Sequence, residues 1–499
     1  MKYLFISLLF CFSSLFSQTT IDGLDSLFNI LEKTNQLNCN VLVAEKGKVA
    51  YKKSFGYADF ENKIKLNENS EFTIASITKI FTSTATLQLK EKGKLKLDDY
   101  FVKYFPEFPY PNITIRNLLT HTSSLPDYQL YEELISKDTN RIIYNKDIIT
   151  LLQSWKKTLD NKPGEKWEYS NTNYNLLALL IAKISGLSFT RYVNQNIFAI
   201  ADMKDSYFTS DTVRIKNENR TFNYDYQYYF SSRKRVDSII WFKFNNYNLS
   251  GLQGSGDIIS TTNDLLKFDN ALYAGKILKR ATLAEAFTPT ILNNGKNQID
   301  FSLGSEDVMY GLGWFIYRDS TRGKIVGHAG GVAGSRTIFL RNITKNQTAI
   351  LFDNIDSKGG YRTGINIMNV LNAKPIGFRK KALVQDYGIT LVEKGVDAAF
   401  CKLIELKSDT LHYVISEEDI NTLGGQLFYY YKGSNHKELA LEVFKLNVLL
   451  YPNSYNTYDS YGEILREYGK FEEAISMYKK SLTLNPESES GKKALKELN

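Results

Sequence analysis

The stretch "FTIASITKIFTS", residues 72–83, has apolar residues at Phe72, Ile74, Ala75, Ile77, Ile80 and Phe81, on most faces of the helix it would form. Such a segment belongs in a core. Yet Lys79 lies inside it, three residues after Ser76. A buried ammonium is costly unless it is paired or neutral. On a helix, positions i and i+3 share a face, so Ser76 Oγ and Lys79 Nζ are expected to meet in a partly dry pocket. Desolvation there favours neutral lysine, which can accept the serine's proton. Ser76 near the helix start would also gain from unpaired N–H groups and the helix dipole. The plain alternative is a solvated serine beside a lysine that snorkels to the surface. Spacing alone does not choose, because Ser154, Ser231, Ser434, Ser476 and Ser490 also have lysine three residues on. The apolar setting separates Ser76 from them.

Upstream, "NCNVLVAEKGKVAYKKSFGYAD" reads as a strand, a Lys-Gly turn and a second strand. From residue 72 the pattern is a helix ending at Lys92-Gly93. Residues 113–200 are mostly helical, most clearly in "NTNYNLLALLIAKISG". Between 310 and 354, "YGLGWFIYRD", "GKIVGHAGG", "RTIFLRN" and "QTAILFDN" are short β-branched and aromatic runs split by turns. The helical pattern "YRTGINIMNVLNA" closes the region. A sheet built from both ends of a domain, with helices inserted between, is an α+β arrangement.

The chain has 499 residues, 43% apolar and 23% charged, which bounds it as a globular protein of more than one domain. The net charge is +8, and the tightest basic cluster, Arg233-Lys234-Arg235, sits among aromatics and serines. It reads as a basic surface face and not as a nucleic-acid site. The N-terminal "MKYLFISLLFCFSSLFSQTT" has one lysine, a short apolar run and small polar residues, the pattern of a signal peptide over residues 1–17. That run is too short for a stable membrane span, and Phe10 is too bulky for a lipid attachment at Cys11. An exported chain, periplasmic or secreted, would keep only Cys39 and Cys401, so no disulfide framework is expected. With four histidines and two mature cysteines, neither a metal-ligand cluster nor a cofactor is expected.

The tail differs in pattern. Pro452 and Pro486 are 34 residues apart, the tetratricopeptide period. Counting back from each proline matches Ala440 with Ala474, Phe444 with Tyr478 and Leu427 with Tyr461. Residues 421–499 therefore read as tetratricopeptide-like repeats, and 373–420 as a linker or a weaker helical repeat. Stacked repeats can present a groove to a protein partner.

Two further elements point to chemistry. In "WEYSNTNY", Tyr169, Ser170 and Asn171 form a turn just before an apolar helix, where catalytic groups tend to be placed; a buried aromatic with a bonded hydroxyl is the bland reading of Tyr169. In "VGHAGGVAGS", His328, Gly330 and Gly331 follow a β run, and the glycines let backbone approach a ligand and expose N–H groups. A β-bulge and a packed histidine would give the same pattern.

Taken in order, Ser-x-x-Lys, Tyr-Ser-Asn and His-x-Gly resemble the penicillin-recognising serine hydrolases. The subgroup resembled is the class C-type β-lactamases, the D-alanyl-D-alanine carboxypeptidases and the esterases of that fold. "ITIRNLLTHTSSLPDY" at 113–128, "GSGDIISTTNDLLKF" at 254–268 and "YGLGW" at 310–314 are similar to the family too. The resemblance covers residues 24–372. It departs at Ser124, where a glycine is usual, and at His328, where most β-lactamases of this fold carry lysine. Residues 210–250 match no pattern of the family and are expected to wall the cleft.

The resemblance implies a DD-peptidase/β-lactamase-like fold, an antiparallel sheet flanked by helices plus a helical subdomain, followed by the all-α tail. It implies that Ser76 is the nucleophile of an acyl-enzyme, with Lys79 and Tyr169 sharing the proton work. Asn171 would position Lys79 and a substrate amide. His328 would line the opposite wall and tune Tyr169 or bind a substrate carboxylate, titrating near neutrality. The backbone N–H groups of Ser76 and Gly331, beside Gly330, would form the oxyanion hole. The substrate would be a small molecule or peptide: a peptidoglycan peptide, an ester or a β-lactam. A catalytically idle penicillin-binding-like protein, whose repeats recruit partners, is the reading from another functional class.

Overall fold

The computed structural model describes residues 20–155, 157–239, 242–297, 299–357 and 359–498. The expected signal peptide, residues 1–17, lies outside them. Among the described residues no single helix is long and apolar enough to cross a membrane.

The chain divides into two compact units. One comprises the residues up to Asp225 together with Arg235–Phe378; the other comprises Tyr226–Lys234 together with the chain from Arg379 onwards.

The first unit is organised by an eight-stranded antiparallel sheet. Its strands are β1 (Cys39–Glu45), β2 (Lys48–Phe55), β3 (Ser302–Leu303), β4 (Glu306–Tyr310), β5 (Phe315–Tyr317), β6 (Ile325–Val332), β7 (Ser335–Asn342) and β8 (Gln347–Asp353). Their spatial order is β3-β4-β5-β6-β7-β8-β1-β2. β1 pairs with β8 in the register Val41 opposite Leu351 and with the hairpin strand β2 on its other side, so both ends of the unit close the sheet, as the sequence pattern anticipated.

The two-residue period of the strands supplies two cores. Leu42, Phe339, Ile350 and Phe352 face a core that contains helices α2 (Thr78–Glu91) and α3 (Asn171–Ser185). Val41, Val43, Ile338 and Leu351 face a second, which takes in α1 (20–33) and α4 (Gly360–Leu371). With both faces covered, β1 is buried from Cys39 to Ala44, and from Val41 to Ala44 it reads as an unbroken apolar run. Helix α2 is buried on all sides from Thr78 to Leu89. Its hydroxyls are satisfied internally: Thr82 Oγ1 donates to the Gly254 carbonyl at 2.7 Å and Thr86 Oγ1 to the Thr82 carbonyl at 2.9 Å.

The second unit is helical. α5 (Val384–Lys394) and α6 (Val396–Ser408) form a first pair, α7 (Glu417–Tyr430) and α8 (His436–Leu450) a second, α9 (Tyr455–Glu467) and α10 (Phe471–Leu484) a third, and α11 (Glu489–Leu498) ends the chain. The expected matches Ala440/Ala474 and Phe444/Tyr478 are buried alike. Within the pairs, however, the small residue that faces Phe444 is Gly424, where a Cβ would stand 2.6 Å from the ring, and the one that faces Tyr478 is Gly462, at 3.2 Å. These two glycines are 38 residues apart, not 34. The 34-residue spacing holds for the second helix of each pair; the first is offset by about one further turn.

One segment of this unit comes from far upstream. Tyr229 and Phe230 pack among Tyr387, Leu423 and Leu427. The Tyr229 N–H donates to Gln426 Oε1 at 2.7 Å and its hydroxyl to Asp419 Oδ1 at 2.9 Å. The aromatic stretch 210–250 is thus split between the units, which its composition gave no sign of.

Candidate active site

Ser76 does not sit in the helix expected for it. Phe72–Thr73 is a short strand paired with Ile258–Ser260, Ala75–Ile77 is a 3₁₀ turn, and α2 begins only at Thr78. The break has a physical cause: Ala75 has φ +48°, a left-handed conformation that costs a non-glycine residue on the order of 1 kcal/mol. Surrounding bonds hold it there. The Ile74 N–H donates to the Ile258 carbonyl at 3.0 Å, and Thr337 Oγ1 donates to the Ile74 carbonyl at 2.9 Å. β6 lies directly against this turn. A Cβ on Gly330 would stand 2.3 Å from the Ile74 oxygen and 2.4 Å from Thr337 Oγ1, so only glycine permits the approach.

One turn on, Lys79 is fully buried. Its Nζ donates to Ser76 Oγ at 3.0 Å, Asn171 Oδ1 at 2.6 Å and the Ser255 carbonyl at 2.7 Å. It also lies 4.9 Å from the Tyr169 ring centre and 5.6 Å from that of Tyr174. Burial pushes its pKa down to about 7, against the pull of Asp127 and Asp257, which favour the charged form.

Burial holds the Tyr169 pKa well above the ordinary tyrosine value, outweighing the neighbouring Ser76 side chain, which acts to lower it. The phenol is therefore protonated near neutrality, and Lys79 is the group of the two with an accessible basic form. Asn171 is braced from behind: its N–H donates to Asp127 Oδ1 at 2.9 Å, and its Nδ2 to Asp127 Oδ2 at 3.1 Å and the Tyr128 hydroxyl at 3.2 Å. Burial raises the Asp127 pKa. His121 lies under Tyr169 with ring centres 4.3 Å apart, and its Nδ1 accepts the Ser170 N–H at 3.2 Å. Burial, with Lys79 nearby, keeps it neutral. The departure at Ser124 is accommodated: Ser124 takes φ +60°, the left-handed conformation a glycine would adopt freely, and its Oγ donates to Glu168 Oε2 at 3.1 Å.

His328 on β6 is buried, 6.4 Å from Tyr169 between ring centres. Its Nδ1 faces the Ala329 carbonyl at 2.7 Å, so that nitrogen carries the hydrogen, and its Nε2 accepts from the Tyr310 hydroxyl at 3.2 Å. Burial, then the Lys79 charge, pushes its pKa down to about 3. The expectation that His328 titrates between pH 6 and 8 is therefore corrected: it is a neutral wall residue across that range. His328→Asn is expected to leave the midpoint of the acidic limb of kcat/KM where the wild type has it, whatever the rate lost. A displaced midpoint would show that His328 ionises in the working enzyme.

These side chains open on one cleft of about 980 Å³. Ser76, Tyr169, Asn171, His328 and Gly331 line it, together with Phe222, Val236 and Phe242 from the 210–250 stretch. The sequence reading named Ser76, Lys79, Tyr169, Asn171, His328, Gly330 and Gly331, and all seven lie in or directly behind this cleft. It assigned no role to Asp127, His121, Tyr310, Ser255 or Asp257. The signal was present in part, since each of these five lies inside one of the three flanking stretches that also resembled the family.

Residues 29–367 match the Beta-lactamase family. The chain is 36% identical over 346 residues to penicillin-binding protein 4* of Bacillus subtilis, covering 68% of this chain and 73% of that protein. A putative penicillin-binding protein of the same organism is 30% identical over 298 residues, 60% of this chain and 66% of the relative. Among solved structures, a penicillin-binding protein from Bacillus halodurans superposes with a TM-score of 0.57 at 26% identity, covering 70% of this chain and 98% of that one. A D-amino acid amidase from Ochrobactrum anthropi shares the fold, with a TM-score of 0.58 at 24% identity over 71% of this chain and 99% of its own. With the motif geometry above, the match places the chain in the β-lactamase family of serine hydrolases.

Proposed function

We propose that the protein is an exported serine hydrolase that cleaves amide or ester bonds through an acyl-enzyme on Ser76. The observation that carries this reading is the Lys79 Nζ at 3.0 Å from Ser76 Oγ, with burial bringing its pKa to about 7. A base poised at the working pH, within hydrogen-bond reach of a hydroxyl, is what activation of a serine requires.

In the proposed cycle Lys79 takes the Ser76 proton as Oγ attacks the substrate carbonyl. The N–H groups of Ser76 and Gly331 hold the developing oxyanion. Tyr169, beside Ser76 and protonated, passes a proton to the departing amine or alcohol and is recharged from Lys79. Water, deprotonated by the same pair, then releases the acyl group and restores Ser76. Asn171, fixed by Asp127, keeps Lys79 in line. A cleft of this size, walled by Phe222, Phe242 and Phe301, suits a peptide or an aryl-bearing acyl group better than a single small acid. Carboxypeptidase-like action on peptidoglycan peptides, esterase action and β-lactam hydrolysis share this cycle and differ in what those walls admit. The helical unit is proposed to carry tetratricopeptide-like repeats that serve protein contacts.

The test is covalent. A fluorophosphonate or a fluorescent penicillin is expected to label the protein one to one at the peptide containing Ser76, seen by mass spectrometry. No adduct with either reagent on folded protein would leave the idle, partner-recruiting reading in its place.

A further inference from the structure

Lys79 has three acceptors, and the two that are not the nucleophile are each backed by an acid, half-buried Asp127 and buried Asp257. Asp127 stands behind Asn171. Asp257 stands behind Ser255, in the turn Gly254-Ser255-Gly256-Asp257. The Gly254 N–H donates to Asp257 Oδ1 at 2.8 Å, which closes the turn so that the Ser255 carbonyl meets Lys79 Nζ at 2.7 Å. The turn is tied to the nucleophile's own segment. The Ile258 N–H donates to Thr78 Oγ1 at 3.2 Å, the Ile258 carbonyl accepts the Ile74 N–H, and Thr82 Oγ1 donates to the Gly254 carbonyl. The Asp257 carbonyl is itself held by the Thr209 N–H at 2.8 Å.

The carboxyl is oddly placed for a purely structural cap. Asp257 is only 6% exposed, and its Oδ2 has no hydrogen-bonding partner among the described side chains and backbone. An ion so placed is costly unless a cation lies close, and the cation acting on it is Lys79. We propose that Asp257 is a positioning residue that fixes the third hydrogen bond of Lys79 and supplies the counter-charge that keeps the lysine basic enough to take the Ser76 proton. This rests on the reading of Lys79 as the base.

The electrostatics agree. Burial raises the Asp257 pKa to about 7, against the backbone N–H groups of Gly254, Asp257 and Gly256 and then the Lys79 charge, and burial brings that of Lys79 down to about 7 against the pull of Asp127 and Asp257. The other ionisable groups around Lys79 do not titrate there. Tyr128, Tyr169 and Tyr174 are pushed up by burial and His121 and His328 are pushed down. Asp127, on the opposite side, is the one further group whose charge acts on the lysine.

The experiment is kcat/KM against pH from about 5.5 to 9 for the full chain, with one p-nitrophenyl ester. The acidic limb reports the lysine, which must be neutral to act. Asp257→Asn keeps an oxygen for the Gly254 N–H but removes the charge, so protonated Lys79 loses support and the limb is expected to move down by about half a unit or more. Asp257→Ala also loses the turn contact and is expected to lower kcat beyond the Asn variant. A limb that superimposes on wild type in folded Asp257→Asn overturns the proposal. Should that variant not fold, Asp257→Glu keeps the charge: its limb is expected at the wild-type position with a reduced kcat, and a limb moved down overturns the proposal equally. Loss of Ser76 labelling in the wild type would instead sink the acyl-enzyme reading on which this rests.

Discussion

Ser76→Ala is expected to lower kcat/KM for a p-nitrophenyl ester by about 10⁴-fold or more while moving the melting temperature by only a few degrees. The two halves of this expectation come from different parts of the structure. Removing Oγ removes the atom that forms the acyl bond, and no neighbouring hydroxyl takes its place on the turn: Ile77 follows and the strained Ala75 precedes. The fold loses little. The turn is held by backbone and by Thr337, not by the Ser76 side chain, and Lys79 keeps Asn171 and the Ser255 carbonyl as acceptors. Hydrolysis assays beside a circular-dichroism melt separate the two. Activity close to wild type would end the acyl-enzyme reading, and a collapsed melt would mean that the serine is part of the scaffold.

Much of this site was legible because burial and charge conflict openly at Lys79. A lysine within an apolar run has few physical explanations, and the structure gives it three acceptors and two acids. The limits of that legibility are equally physical. The helix was expected to include Ser76, because local periodicity does not register the pairing of Phe72–Thr73 with a strand almost 190 residues away or the left-handed turn at Ala75. Asp257 in "GSGD" shows no role from sequence: an acid beside glycines is usually a solvated turn residue, and only the packing of the turn against α2 buries it. His328 was expected to titrate near neutrality because free imidazole does, but enclosure among Tyr310, Phe315 and Tyr169 removes the water that would stabilise its charge. In the tail, counting from Pro452 and Pro486 aligned the second helices correctly and missed the offset of the first, because loop length between helices is invisible to a fixed period. The aromatic stretch 226–231 gave no clue that it folds with residues about 200 positions downstream, since an exposed wall and a turn that packs into another core have the same composition.

Lys79→Met carries the second large effect, on rate and on stability in opposite senses. Methionine nearly matches the lysine's apolar stem, so the core of α2 stays filled, but it cannot accept a proton. The expected loss in kcat/KM is about 10³-fold or more, together with the disappearance of the acidic limb near pH 7. Stability follows from linkage. The folded-state pKa of Lys79, about 7, lies below the ordinary lysine value of about 10.4, so between those two values the unfolded chain binds the proton and the folded one does not. Wild-type stability therefore gains from this group as pH rises from about 7 to about 10, and below 7 the buried lysine carries its full cost, on the order of a few kcal/mol. The variant lacks this dependence. Asp127 and Asp257, already raised by burial, lose their cation and are raised further, which tilts the variant's slope the same way. The difference in melting temperature, variant minus wild type, is thus expected to be largest near pH 7 and to shrink toward pH 10, with ionisations common to both proteins cancelling. Melts at three or four pH values suffice. A difference that is flat across that range would mean that Lys79 stays charged in the folded protein, and the serine would then need another base.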